Sequence, residues 1–181
     1  MASITPSTGT GAGNAVFGFI DEPMLSASSN TYTLAAEFGE ANSTRRVIVA
    51  IAVHGSGTRD ITGVTIGGVT ASQVAYKRKV STTSHLFIAA IYIADVPTGT
   101  SGNVVVTCDN AVTFVSASVF VGYNMASSTP DDTIASDVVN TATDLDTVNG
   151  GFAVAIGGQH YISYGNLIYY NIPFENAAVH G

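Results

Sequence analysis

Two runs in this sequence leave it little freedom in what it can fold into. From Arg46 to Val53 the side chains alternate: Val47, Val49, Ile51 and Val53 are large and β-branched on one face, while Ile48, Ala50 and Ala52 are apolar and mostly small on the other. His85 to Ala94 repeats the pattern, with Phe87, Ala89, Ile91 and Ile93 facing one way and Leu86, Ile88, Ala90 and Tyr92 the other. A period of two with β-branched residues reads as a strand, and a strand apolar on both faces must be covered on both. The two runs are therefore expected to be central strands. Phe114 to Tyr123 is a third long strand, apolar at Val115, Ala117, Val119, Val121 and Tyr123; Ser116 and Ser118 predict a half-exposed opposite face.

Shorter β-type runs lie between and around these three, separated by turn chemistry. Ala15 to Ile20 reads as a strand, Asp21 to Asn30 as a loop containing Pro23, and Thr31 to Ala36 as a second strand. Gly55-Ser56-Gly57 predicts a turn. Gly67-Gly68, between Ile61–Ile66 and Val69–Tyr76, predicts a tight hairpin, because such turns need positive φ. Lys77-Arg78-Lys79 and Ser81 to Ser84 read as a polar connection, Pro97 to Gly102 as a loop, Val104 to Cys108 as a strand and Asp109-Asn110 as a turn. Further on, Thr129 to Thr133 reads as a turn and Ile134 to Val148 has no clear period. Phe152 to Ile156 alternates large and small before Gly157-Gly158, and Tyr161 to Phe174 is aromatic-rich. Strand signals at this spacing, with no helical period, predict an all-β antiparallel sandwich, immunoglobulin-like or jelly-roll-like, in one domain over residues 15–181. Residues 1–14, rich in Ser, Thr and Gly, form an extended N-terminal arm ahead of it.

Charge narrows the function classes. Only 10% of the 181 residues are charged, against about 25% in an average globular domain, while the hydrophobic share is an ordinary 46%. The polar surface must come largely from 21 Thr and 17 Ser. Such a surface is cheaper to desolvate than a charged one, which suits extensive protein contact. A net charge of −7 argues against nucleic acid, whose phosphates call for clustered cations. The six basic residues, Arg45, Arg46, Arg59, Lys77, Arg78 and Lys79, precede an acidic stretch with Asp131, Asp132, Asp137, Asp144 and Asp146. Arg45 to Lys79 and Asp131, Asp132 and Asp137 are candidate assembly contacts, with one copy's basic side meeting the next copy's acidic side; solvated faces are the alternative. The N-terminus has neither the basic nor the apolar segment of a signal peptide. The longest apolar run, Leu86 to Ala94, is too short for a membrane helix, which needs about 20 residues. Neither membrane nor export is expected.

No constellation with catalytic or metal-ligand spacing is visible. His54, His85, His160 and His180 are far apart in sequence and read as strand-end or loop residues. His54-Gly55-Ser56-Gly57 matches a nucleophile elbow only superficially. Asp144-Leu145-Asp146 lacks the rest of a calcium loop, since Ala155 stands at its twelfth position. Cys108 reads as a small buried hydrophobe. No catalytic residue, metal or cofactor is expected, and the protein is not expected to be an enzyme. Tyr161, Tyr164, Tyr169 and Tyr170 are the densest aromatic group, a sheet end or a ligand face.

Two stretches taken together resemble a known family. Asp60-Ile-Thr-Gly-Val-Thr-Ile-Gly-Gly-Val-Thr-Ala71 is followed by Ala89-Ala-Ile-Tyr-Ile-Ala-Asp-Val-Pro-Thr-Gly-Thr-Ser-Gly-Asn-Val-Val-Val-Thr107. This order of hairpin, strand, loop and strand, over roughly residues 46–123, resembles β-sandwich domains in virion proteins of tailed bacteriophages, including head-decoration (cement) and tail-fibre proteins. The resemblance implies a structural protein of the capsid surface, made in the host cytoplasm. It would bind the major capsid protein at subunit junctions as a homotrimer. The alternative it leaves open is a tail-fibre module recognising host-surface glycans through loops such as Ser81–Ser84 or Pro97–Gly102.

Overall fold

A computed structural model describes residues 16–81, 84–125, 127–129, 154 and 156, together with the strand backbone of residues 157–160 and 167–170. The strands are β1 (Val16–Asp21), β2 (Met24–Glu37), β3 (Arg46–Ser56), β4 (Ile61–Ile66), β5 (Val69–Thr70), β6 (Ser72–Val80), β7 (His85–Asp95) and β8 (Ser101–Tyr123). All eight belong to one antiparallel sheet in the order β5-β4-β8-β3-β7-β6, with β1 and β2 added along the other edge of β8. The sheet curls until it is nearly closed into a barrel, and no helix occurs among the described residues. β9 (Gly157–His160) and β10 (Leu167–Tyr170) pair separately. The N-terminal arm and the acidic stretch from Asp131 to Asp146 lie outside the described residues.

The two double-faced runs sit where the alternation places them. β3 pairs with β7 along its length and with β8 on its other side. Its odd-numbered face, Val47 to Val53, joins Leu86, Ile88, Ala90 and Tyr92 in the main core inside the curl. Its even-numbered face, Ile48 and Ala50, joins Ile91, Ile93 and Phe120 in a second cluster, on which Val154 and Ile156 pack. That cover corrects one expectation. Ser116 and Ser118 pair across from Ala52 and Ala50, and both are buried, so this face of β8 is not half-exposed.

β8 gives the sheet its shape, and sequence reading divides it wrongly. Asp109-Asn110 is not a turn: the chain runs as one 23-residue strand from Ser101 to Tyr123. The bend is a bulge. β2 passes from Ser29 opposite Val112 to Thr31 opposite Thr107, leaving the β8 residues between them out of register. Inward-facing residues are even-numbered through Val112 (Val104, Val106, Cys108, Val112) and odd-numbered from Val115 on (Val115, Ala117, Val119, Val121). The register also shifts between Ser26 opposite Phe114 and Ser29 opposite Val112, where β8 changes faces, and such irregularities increase the local bend. Asp109 and Asp60 bracket the spot reciprocally, with each backbone N–H donating to the other residue at 3.0 Å. The Tyr32 hydroxyl donates to Val112 O at 2.7 Å from within the core and also meets Ala27 O.

The Gly67-Gly68 hairpin forms as expected, with φ of +59° and +82° joining β4 to β5. Four other expectations need correction. β2 begins at Met24, inside the predicted loop, because it follows β8 past the bulge. β3 continues to Ser56, one residue short of Gly57, whose φ is +70°. Lys77, Arg78 and Lys79 belong to β6, paired with Ala89, Ile88 and Phe87. Gly157-Gly158 begins β9 where an end was predicted.

Candidate functional site

Arg45 is the best-tethered side chain of the described residues. It stands just before β3 at odd parity, so its side chain enters the core face along with Val47 and is only 1% exposed. Nε donates to Val96 O at 2.7 Å. Nη1 reaches Phe38 O, Gly39 O and Glu40 O at 2.8–3.1 Å, and Nη2 reaches Thr98 O and Gly99 O at 2.8 and 2.7 Å. Six carbonyls thus surround a planar group with five N–H donors, one of them shared. The side chain ties the segment after β2 to the loop between β7 and β8.

That loop is one wall of a groove of about 300 Å³; the β4–β5 hairpin is the other. Thr65, Gly68 and Val69 line the hairpin side, and Pro97, Thr98 and Asn103 the loop side. The floor is Phe38, pressed on by two glycines. A Cβ at Gly102 would stand 2.7 Å from Phe38 Cε2, and one at Gly67 would stand 3.0 Å from Val96 Cγ1 and 3.2 Å from Phe38 Cε2. Among the described residues, none that lines the groove is charged. Its two walls are the Thr-Ile-Gly-Gly hairpin and the Val-Pro-Thr-Gly-Thr loop, separated by some thirty residues in sequence.

The remaining predicted contact residues do not converge on one face. Arg45 is withdrawn from the surface entirely. Arg46 points the opposite way and pairs with Asp95 at 3.0 Å, donating also to Met125 O at 2.8 Å. Arg59 donates to Thr58 O at 3.1 Å, near its own turn. Arg78 pairs with Asp60, which also accepts from the Tyr76 hydroxyl; together they lace the opening between β4 and β6. Lys77 and Lys79 flank Arg78 on β6. Asp131, Asp132 and Asp137 lie outside the described residues, as do Asp144, Asp146, Tyr161, Tyr164 and His180. Sequence spacing also missed a meeting. His54 and His85 come together at one end of β3 and β7, rings nearly parallel with centroids 6.0 Å apart, and Thr113 Oγ1 lies 3.3 Å from His54 Nδ1. No group of three or more metal-ligating side chains occurs among the described residues. Comparison with protein-family models, with curated proteins and with solved structures finds no match.

Cys108 is inside the barrel, 2% exposed, and burial pushes its thiol up to about 11, with the carboxylates of Asp109 and Asp60 adding to the shift. Burial likewise raises Tyr76, whose phenol also donates to the Asp60 carboxylate. Both groups ionise more readily once unfolded. The neutral forms therefore favour the fold below about pH 9, and stability falls as the pH climbs from there through about 11. The native thiol is expected to resist a maleimide at neutral pH and to react stoichiometrically in denaturant. Rapid labelling of the folded protein would place Cys108 at the surface.

Proposed function

We propose that this protein is a structural component of a tailed-phage virion that decorates the assembled head. The observation that supports this best is the uncharged, rigidly backed groove between the β4–β5 hairpin and the loop after β7. The two motifs that carry the family resemblance are its walls, and Arg45 holds one of them from beneath. A preformed groove of small and hydroxyl-bearing residues can be desolvated without burying a charge, and little ordering entropy is lost on docking. In this reading the nearly closed sheet is the two-layer sandwich of such virion domains, with β8 running through both layers. The N-terminal arm would be a further contact. The basic-to-acidic ring has less support, because Arg45, Arg46 and Arg78 are engaged within the chain. The receptor-binding reading draws on the same loop, since Thr98 and Asn103 offer hydroxyl and amide groups to a glycan.

Val69 is 39% exposed at the groove rim, so it can be changed without disturbing the core. A Val69→Asp protein is expected to keep the wild-type unfolding midpoint. It should lose about tenfold or more in co-sedimentation with emptied heads of the cognate phage, the effect of a charge desolvated without a partner. Wild-type protein that ignores heads but binds host cells, with binding lost on removal of surface glycans, would replace head decoration with the tail reading.

A further inference from the structure

The sheet has two long edges, and they are defended unequally. An open edge strand presents unpaired N–H and C=O groups and pairs with other chains unless charge, proline or bulges prevent it. β6 carries Lys77, Arg78 and Lys79 along its edge. β2 carries no charge from Met24 to Ala36 and no proline, and among the described strands its only ladder is with β8.

The alternation along β2 identifies which groups face outward. Phe38 N–H donates to Thr100 O at 2.7 Å, toward the β8 side, so even-numbered residues bond inward. Odd-numbered residues point away. Glu37 N–H donates to the Asp21 carboxylate at 2.9 Å. The Ser29 hydroxyl accepts from Thr31 N–H at 3.1 Å and donates to Thr31 O at 2.8 Å. Side chains thus close the edge at both ends. Between the caps, the outward N–H and C=O of Thr33 and Ala35 form an open window centred on Leu34, with both side chains exposed.

The geometry points to this window as a self-pairing site, where β2 of a second copy adds antiparallel about a two-fold axis at Leu34. In that register Thr33 faces Ala35 of the other copy and Ala35 faces its Thr33. These are hydrogen-bonded pairs on both sides of the axis, which satisfy all four groups on each chain. Glu37 then lies opposite Thr31, so no like charges meet. The same patch serves both chains, as an isologous contact requires. The caps set the register, because pairing cannot slide past residues whose outward groups are already used. The contact is short and the free protein associates weakly; fixing many copies on one surface would multiply its effect. It does not depend on head binding.

The test is sedimentation velocity of the full chain over about a hundredfold range of concentration. The expected result is a reversible monomer–dimer shift, abolished by Ala35→Lys and by Thr33→Pro. Proline at an outward position removes a donor without breaking the ladder to β8, and an unchanged circular dichroism spectrum checks that each variant folds. Register is read by mixing Thr33→Cys and Ala35→Cys chains under mild oxidation. From an equal mixture, mixed disulfide dimers should exceed the twofold excess over each homodimer that random pairing gives, with the native thiol buried. A wild-type monomer at every concentration, a trimer, an association unmoved by either folded variant, or cross-linking in the random 1:2:1 ratio would each overturn the proposal.

Discussion

An Arg45→Ala protein is expected to be less stable by about 3–5 kcal/mol, because several main-chain acceptors, each costing about 1–3 kcal/mol when buried without a partner, lose their donor at once. The loss has two sources. Six hydrogen bonds from the guanidinium disappear, and the carbonyls of Phe38 and Val96, held in the interior, lose a charged donor. Hydrogen bonds to a charged group contribute about 1.5–3 kcal/mol each in net terms, but six acceptors sharing one group are not additive. Arg45→Lys should recover only part of the loss. An ammonium has three donors on a compact centre and cannot span acceptors on two segments as a planar fork does. Chemical denaturation measures both variants. Amide exchange at Thr98 to Thr100 should accelerate in the alanine variant before global unfolding, because that loop loses its tether. A destabilisation under about 1 kcal/mol would mean that water replaces the side chain without penalty.

The second large effect is expected at the floor of the groove. Gly102→Ala places a methyl 2.7 Å from Phe38 Cε2 and 3.4 Å from Gly67 Cα, with the ring itself only 1% exposed. The ring is buried and Gly67 already stands by the same Cε2 edge, so the ring can yield only by displacing its neighbours. Overpacking of this kind costs about 1–3 kcal/mol. Phe38→Leu alone should also destabilise, by leaving a void. Combined, the two changes should cost clearly less than their sum, because leucine lacks the ring atoms that meet the new methyl. A double-mutant cycle measures that coupling. Strict additivity would show that Gly102 acts through its backbone and not through its contact with Phe38.

Much of the candidate site could be found in the sequence once parity is followed beyond the strand core. Val47, Val49, Ile51 and Val53 mark the inward face, and stepping back by two from Val47 reaches Arg45. The same count puts Arg46 outside, where it pairs with Asp95. Grouping the two arginines as one basic cluster hides this difference. The carbonyls that receive Arg45 are invisible in any sequence, because main-chain acceptors carry no residue signature. The meeting of His54 with His85 is similarly hidden, since it follows from the pairing of β3 with β7.

The sequence by itself determined the strands that depend on local pattern. The double-faced runs at β3 and β7, the inward set of β8 after its bend and the Gly67-Gly68 hairpin all follow from period-two alternation and turn stereochemistry, which neighbouring residues decide among themselves. Tertiary structure decided what depends on partners distant along the chain. Asp109-Asn110 has turn chemistry, yet it sits within one bent strand because β2 and β4 hold β8 as far as Thr107 and Cys108, β2 takes it up again at Val112, and Asp60 bonds Asp109 in between. Ser116 and Ser118 look like a solvent face but lie buried, because cover for that side comes from elsewhere in the chain, with Val154 and Ile156 packed on its apolar cluster. Burial is a property of what arrives on a face, and alternation records only which residues share it.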